Sequence, residues 1–212
     1  MICISISDKN QERCLSLLTE AEMAEIRLDL TEFDDNEIRN VFAFPKPLIA
    51  TFRPGDYDDD ERMEKLKLAI EAGAQYVDIE IESEEGYRDE LVNFARKRQC
   101  QIIISYHNFD VTPQQNELRK IVNTCFEYNA DIAKIATLVK NDREIAALFS
   151  LYDINKNILA IGMGEKGKVT RVIAPFLGAP FTFAAPDEGD NTAPGQLTYS
   201  RMKEMIKQLQ EL

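Results

Sequence analysis

Short apolar runs alternate with stretches of helical spacing from one end of the chain to the other. The apolar runs predict strands at Ile2–Ser7, Met23–Leu28, Leu48–Phe52, Tyr76–Ile81, Gln101–Ser105, Asp131–Ala136, Ile158–Gly162 and Phe181–Phe183. Between and after them, spacing near 3.6 predicts helices over Lys9–Glu20, Asp34–Phe42, Asp58–Ala72, Glu85–Lys97, Gln114–Tyr128, Asp142–Tyr152, Val169–Leu177 and Leu197–Leu212. Thr112 is expected as the N-cap of the helix from Gln114, with Pro113 in its first turn. Gly73 and Gly178 stand where two helices stop.

Eight strand–helix units with no linker imply a parallel sheet, and eight fit a closed (β/α)8 barrel better than an open sheet. The expected architecture is an α/β TIM barrel occupying residues 1–212 as one domain. The one long irregular stretch, Ala184–Gly195, has no apolar periodicity and is rich in Pro, Gly, Asp and Asn. Loops of that length in a compact domain are usually functional or mobile.

One strand carries a residue that needs a reason. Alternation in Ala130-Asp-Ile-Ala-Lys-Ile-Ala-Thr137 puts Ile132, Lys134 and Ala136 on one face and Ala133 and Ile135 on the other. Both faces are otherwise apolar, and lysine is almost never fully buried without a partner. Lys134 is therefore either a paired core lysine or a reactive amine. Further polar residues fall near the C-terminal ends of other strands, where such barrels place their chemistry. They are Glu25, Arg27 and Asp29, then Arg53, then Asp78, Glu80 and Glu82, then His107, with Arg171 in the helix after Met163-Gly164. Each alone has a structural reading as a surface salt bridge, a solvated strand face, a satisfied core histidine or a helix-surface arginine. One barrel mouth would collect them all.

Composition narrows the partners. A formal net charge of -12 argues against nucleic acid, whose binding rests on phosphate neutralisation, and suits a soluble chain. No apolar run reaches the length of a membrane span, and the N-terminus lacks the basic region of a signal peptide. Cys3, Cys14, Cys100 and Cys125 form no CxxC pair, and with a single histidine a cysteine-rich zinc site is not expected. Reduced thiols and a cytoplasmic location follow as the expectation.

A lysine amine condenses with a ketone to an iminium, which acidifies the adjacent carbon. It must first lose its proton; neighbouring arginines help that and neighbouring carboxylates oppose it. A histidine suits general acid–base work in elimination, and arginines suit a carboxylate.

Several segments together make the chain resemble type I 3-dehydroquinate dehydratase, the Schiff-base enzyme of the shikimate pathway in aromatic amino acid biosynthesis. They are Glu25-Ile-Arg27-Leu-Asp29, Thr51-Phe-Arg53, Tyr76-Val-Asp78-Ile-Glu80, Ser105-Tyr-His107-Asn-Phe109, Ala130-Asp-Ile-Ala-Lys134-Ile-Ala, Met163-Gly-Glu-Lys-Gly167 with Thr170-Arg171, and Ala193-Pro-Gly-Gln196. The resemblance implies a hydro-lyase converting 3-dehydroquinate to 3-dehydroshikimate with no metal or cofactor. It implies that Lys134 forms the imine with the C3 ketone, and that His107 takes the C2 proton and helps the C1 hydroxyl leave. Arg171 would hold the substrate carboxylate, while Glu25, Arg27, Arg53 and Gln196 bind ring hydroxyls and order the site. Met163 and Phe183 would be apolar walls, Ser5 a further substrate contact, and Ala184–Gly195 a lid carrying Thr192 and Ala193. The small-molecule substrate is the expected partner, with a homodimer as the assembly left open.

The chain departs from the family in three places, one of them Thr192, which stands for the family's lid serine and keeps the hydroxyl. A Glu-Gly-Gly whose glutamate orients the histidine often follows the Thr-x-Arg strand; here Arg53-Pro-Gly-Asp-Tyr-Asp-Asp stands instead, leaving Asp56 and Asp58 as candidates. The N-terminal hairpin common in the family is not expected, since the sequence opens on its first strand. Two other readings compete. A class I aldolase barrel would use Met163–Gly167 as a phosphate site, but Pro186-Asp-Glu-Gly-Asp190 is acidic and repels phosphate. A non-catalytic barrel binding a small acid would need neither His107 nor Lys134.

Overall fold

The computed structural model describes residues 1–154, 156–188, 192–193 and 195–212. The strands are β1 (Ile2–Ile6), β2 (Met23–Arg27), β3 (Leu48–Thr51), β4 (Tyr76–Glu80), β5 (Gln101–Asn108), β6 (Ile132–Leu138), β7 (Ile158–Met163) and β8 (Thr182–Ala184). The α-helices are α1 (Gln11–Glu20), α2 (Leu28–Thr31), α3 (Asp35–Phe42), α4 (Asp59–Ala72), α5 (Glu85–Lys97), α6 (Gln115–Glu127), α7 (Asp142–Phe149), α8 (Lys168–Ile173) and α9 (Tyr199–Gln210). All strand pairings are parallel, in the order β7-β6-β5-β4-β3-β2-β1-β8. No ladder joins β7 to β8 among the described residues, so the (β/α)8 barrel is nearly closed.

Local chemistry explains the helix limits. Asp34 with Glu37 and Asn141 with Glu144 form capping boxes that satisfy orphan N–H groups at the starts of α3 and α7. Asp58 caps α4, and Gly73, at φ +125°, ends it in a conformation other residues rarely adopt. The expected helix 169–177 is α8 followed by a 3-10 turn over Ala174–Leu177, because Pro175 has no N–H to continue the ladder. The expected helix 142–152 likewise ends as a 3-10 turn over Ser150–Ile154. Two other expectations are corrected. Thr112 caps nothing: its hydroxyl bonds the Thr137 hydroxyl and the Leu138 carbonyl, both at 2.8 Å, and α6 begins beyond Gln114. β5 runs on through His107 to Asn108, because His107 and Asn108 pair with Ala136 and Thr137 of β6.

The strands separate two apolar layers. Ala133 and Ile135 of β6 pack outward with the helices, whereas Ile132 and Ala136 join the barrel interior. Cys3, Met23, Ile49, Ile103, Ile132, Leu159 and Phe181 fill the N-terminal part of that interior. Two residues further along β1 to β6 the inward positions turn polar: Ser5, Glu25, Thr51, Asp78, Ser105 and Lys134, all buried. The interior is thus an apolar plug beneath a layer of polar side chains, the layered arrangement of such barrels.

Candidate active site

The polar layer is the floor of a cavity of about 360 Å³ at the C-terminal ends of the strands. Lys134 stands at its centre. Its Nζ lies 2.8 Å from Asp78 Oδ2, 3.3 Å from Glu25 Oε1 and 4.5 Å from the centre of the Phe183 ring. The side chain is 6% exposed, so the pair to Asp78 is shielded from water. Of the two readings of Lys134, the paired one describes its contacts, and its place on the cavity wall keeps the amine accessible.

Asp78 ties the layer together. Arg53 donates to both its carboxylate oxygens at 2.9 Å, and the Ser105 hydroxyl donates to Oδ1 at 2.6 Å. Burial alone would raise its pKa, but Arg53 and Lys134 outweigh burial and hold the group well below the ordinary carboxylate range. Glu25 is arranged similarly. Ser5 donates to one oxygen and Thr51 donates to the other at 3.0 Å. Burial opposes its charge, while Lys134, Arg27 and Arg53 shift the net pKa downward. Burial works against the Arg53 guanidinium too, but Asp78 raises its pKa on balance. Arg27 is fixed by two bonds to Asp29, at 3.0 and 2.6 Å.

His107 faces the cavity beside Phe109, whose ring stacks on it at 6.2 Å. Burial, then the cationic Arg53 and Lys134, push its pKa well below 6.5, so the imidazole is neutral at pH 7. A neutral imidazole can accept a proton. Its Nδ1 is buried, lies 3.6 Å from Glu80 Oε1 and has no hydrogen-bond partner among the described residues.

Arg171 projects from α8 into the same cavity and is 2% exposed. Its place depends on glycine: a Cβ on Gly162 would come within 2.8 Å of the Gly167 Cα, so only glycines let this turn fold onto the end of β7. Burial lowers the Arg171 pKa to about 10, still cationic at neutral pH, with Glu25 opposing the fall. Its Nε has no hydrogen-bond partner among the described residues. The guanidinium is a buried cation without an ion-paired carboxylate among the described residues. The turn Met163–Gly167 is closed on its own backbone, with Gly167 N–H bonded to the Gly164 carbonyl, and does not form an open phosphate cradle.

Met163, Ala136, Ile161 and Phe183 supply apolar lining, and Thr192, Ala193 and Gln196 line the cavity as well. The Gln196 amide oxygen accepts from the backbone N–H groups of Thr192, at 3.0 Å, and Ala193, at 3.3 Å. Residues 189–191 and 194 of the expected lid lie outside the described residues.

Of the twelve residues that the resemblance gives a catalytic or substrate-contact role, eleven line one cavity. Ser5 is the exception: it is buried beneath the cavity and holds Glu25. Asp58 is the cap of α4 and Asp56 is exposed, so neither takes the role proposed beside His107. Glu82 lies past the end of β4 and does not share a strand face with Asp78 and Glu80. The sequence reading named Asp78 and Glu80 as polar but assigned them no role. The signal was there, since both stand on the inward face that β4 presents between Arg53 and Ser105.

The family model for type I 3-dehydroquinase matches residues 2–212. A 3-dehydroquinate dehydratase from Methanococcus maripaludis strain C7 is 37% identical, over 98% of this chain and 99% of that protein. One from Methanocaldococcus jannaschii is 35% identical, over 97% of each. The crystal structure of a type I 3-dehydroquinate dehydratase from Clostridium difficile, with covalent modified comenic acid, superposes with a TM-score of 0.87 at 25% identity. That superposition covers 99% of this chain and 92% of the other.

Proposed function

Because the chain belongs to the type I 3-dehydroquinase family and dehydrates 3-dehydroquinate to 3-dehydroshikimate through a Schiff base, we propose that Lys134 is the imine-forming amine and His107 the general acid and base. The observation that carries this reading is a buried lysine and a half-buried neutral histidine on neighbouring strands, opening into one cavity with a buried arginine that has no ion-paired carboxylate among the described residues.

The amine adds to the C3 ketone and expels water, leaving an iminium that draws electrons from C2. Asp78 and Glu25 face that nitrogen, so the layer that balances an ammonium also balances the iminium. His107 takes the C2 proton on Nε2, and the C2–H electrons flow into the enamine. The enamine then expels the C1 hydroxyl, which leaves as water with the proton His107 has carried. Water releases the product from Lys134.

Arg171 grips the substrate carboxylate, supported by its unpaired Nε and its burial. Glu25, Arg27, Arg53 and Gln196 bind hydroxyls, with Thr192 and Ala193 beside them and Met163 and Phe183 against the ring's apolar face. Ser5 acts through Glu25. Appearance of the conjugated enone in the ultraviolet on adding 3-dehydroquinate tests the activity directly; no absorbance change would count against it.

Residues 1–212 are read as one domain, supported by the single eight-stranded sheet. A homodimer is supported by the exposed Val169, Phe176 and Leu177 on α8 and the turn after it; sedimentation at several concentrations tests it. No helix among the described residues is long and apolar enough to cross a membrane. Four free, buried cysteines support a cytoplasmic location.

A further inference from the structure

His107 has two ring nitrogens with different surroundings. Its ring lines the cavity, while Nδ1 is buried against β4 without a hydrogen-bond partner among the described residues. A buried imidazole nitrogen left unpaired is costly, and which nitrogen carries the proton decides which can act as base. Around the ring stand Arg27 of β2, Arg53 after β3, Asp78 and Glu80 of β4 and Lys134 of β6. Asp78 is already committed to Arg53, Ser105 and Lys134. Glu80 is not: its carboxylate has no hydrogen-bond partner of its own among the described residues and lies 3.6 Å from Nδ1. Arg53 Nη1 is 3.5 Å from the same Glu80 oxygen, which holds that oxygen on the His107 side.

The geometry points to Glu80 as the positioning residue of His107, its carboxylate accepting the Nδ1–H so that Nε2 is left as the free base facing the substrate. This deepens the reading of His107 as general base and rests on it. The chain has Asp58 and its neighbours where a glutamate on the preceding loop would otherwise serve, and Asp58 is spent on the cap of α4. Glu80 reaches the histidine from the adjacent strand instead: in the β4–β5 register Glu80 pairs with Ser105, two residues before His107 on the same face. When Nε2 takes the C2 proton, the imidazolium formed has Glu80 beside Nδ1. When that proton passes to the departing hydroxyl, the neutral Nδ1–H form is restored.

The sole histidine makes the test direct, because its nitrogen signals need no assignment. In the free wild-type protein, nitrogen NMR is expected to show the Nδ1–H tautomer. Glu80→Ala should shift the ring toward Nε2–H and lower kcat roughly 10- to 100-fold, the size of one charge-assisted hydrogen bond. KM should change little. Glu80→Gln keeps the shape and an acceptor oxygen without the charge; it should move the acid limb of the kcat profile to lower pH, because the imidazolium loses its anion. Glu80→Asp should recover part of both effects, and Asp58→Asn should move neither signal. An Nε2–H tautomer in wild type overturns the proposal. So does an unchanged tautomer in Glu80→Ala with an unchanged acid limb in Glu80→Gln, even if activity falls. Failure of the underlying reading looks different: His107→Ala would keep its activity, while the wild-type nitrogen signals still reported the contact with Glu80.

Discussion

Lys134 Nζ lies 2.8 Å from Asp78 Oδ2, and Asp78 is at the same time gripped by Arg53 through two bonds of 2.9 Å. The lysine therefore shares its counter-ion. On the proposed role of Lys134, its amine gives up a proton to attack while Asp78 still has a cation, so no buried carboxylate is stranded. When the iminium forms, a positive nitrogen returns to a place already balanced by Asp78 and Glu25. On that proposal, charges are preorganised around the covalent intermediate and need little rearrangement during reaction.

Asp78 should accordingly matter for folding as well as turnover. Asp78→Ala leaves the buried Lys134 and the half-buried Arg53 short of a partner, and removing one member of a buried pair costs about 3–5 kcal/mol. Urea unfolding should show a loss of that order, against a smaller one for Asp78→Asn. A loss under about 1 kcal/mol in the alanine variant would contradict the hub role.

His107→Ala should bind substrate and still form the imine, but lose proton transfer. General acid–base catalysis by one side chain contributes about 10²–10⁴-fold, so kcat should fall by that factor. A kcat within a few-fold of wild type would remove His107 from the mechanism.

Arg171→Ala should act mainly on KM. The guanidinium is buried without an ion-paired carboxylate among the described residues, and one charge-assisted hydrogen bond is worth about 1.5–3 kcal/mol, roughly 10- to 150-fold. Steady-state kinetics should show that rise in KM. An unchanged KM would show that the substrate carboxylate is held elsewhere.

His107 also sets a pH dependence of stability. Its folded pKa is depressed, so the unfolded chain takes up a proton near 6.5 while the folded chain does not. Stability should therefore fall as pH drops below 6.5 toward the folded value, by at most about 1.4 kcal/mol per pH unit. Urea midpoints between about pH 6.5 and 5 should fall in wild type and stay flatter in His107→Asn. Equal slopes would contradict a depressed histidine pKa in the folded protein.

The strand–helix alternation was legible because each strand has an apolar outward face that packs against helices, as Ala133 and Ile135 do. The limits failed where inward positions are polar. β5 was expected to stop at Ser105, because Tyr106, His107 and Asn108 break the apolar run, although they pair with Ile135, Ala136 and Thr137. The four-residue α2 is too short to show a period. Lys134 stood out because a buried lysine is rare in a strand, and His107 because it is the one histidine and ends a strand. Glu80 did not, since its partner is set by the β4–β5 register and by Arg53 reaching across, neither of which a single sequence displays. Arg171 resembled a surface residue because α8 has six residues, too few to reveal which face is buried.

The central claim is that the amine of Lys134 carries the substrate. Borohydride added to protein turning over 3-dehydroquinate should reduce the imine and fix one adduct, and peptide mass spectrometry should place it on Lys134. Lys134→Ala should take up none and lose activity. An adduct on another lysine, or an active protein that cannot be labelled, would contradict the account.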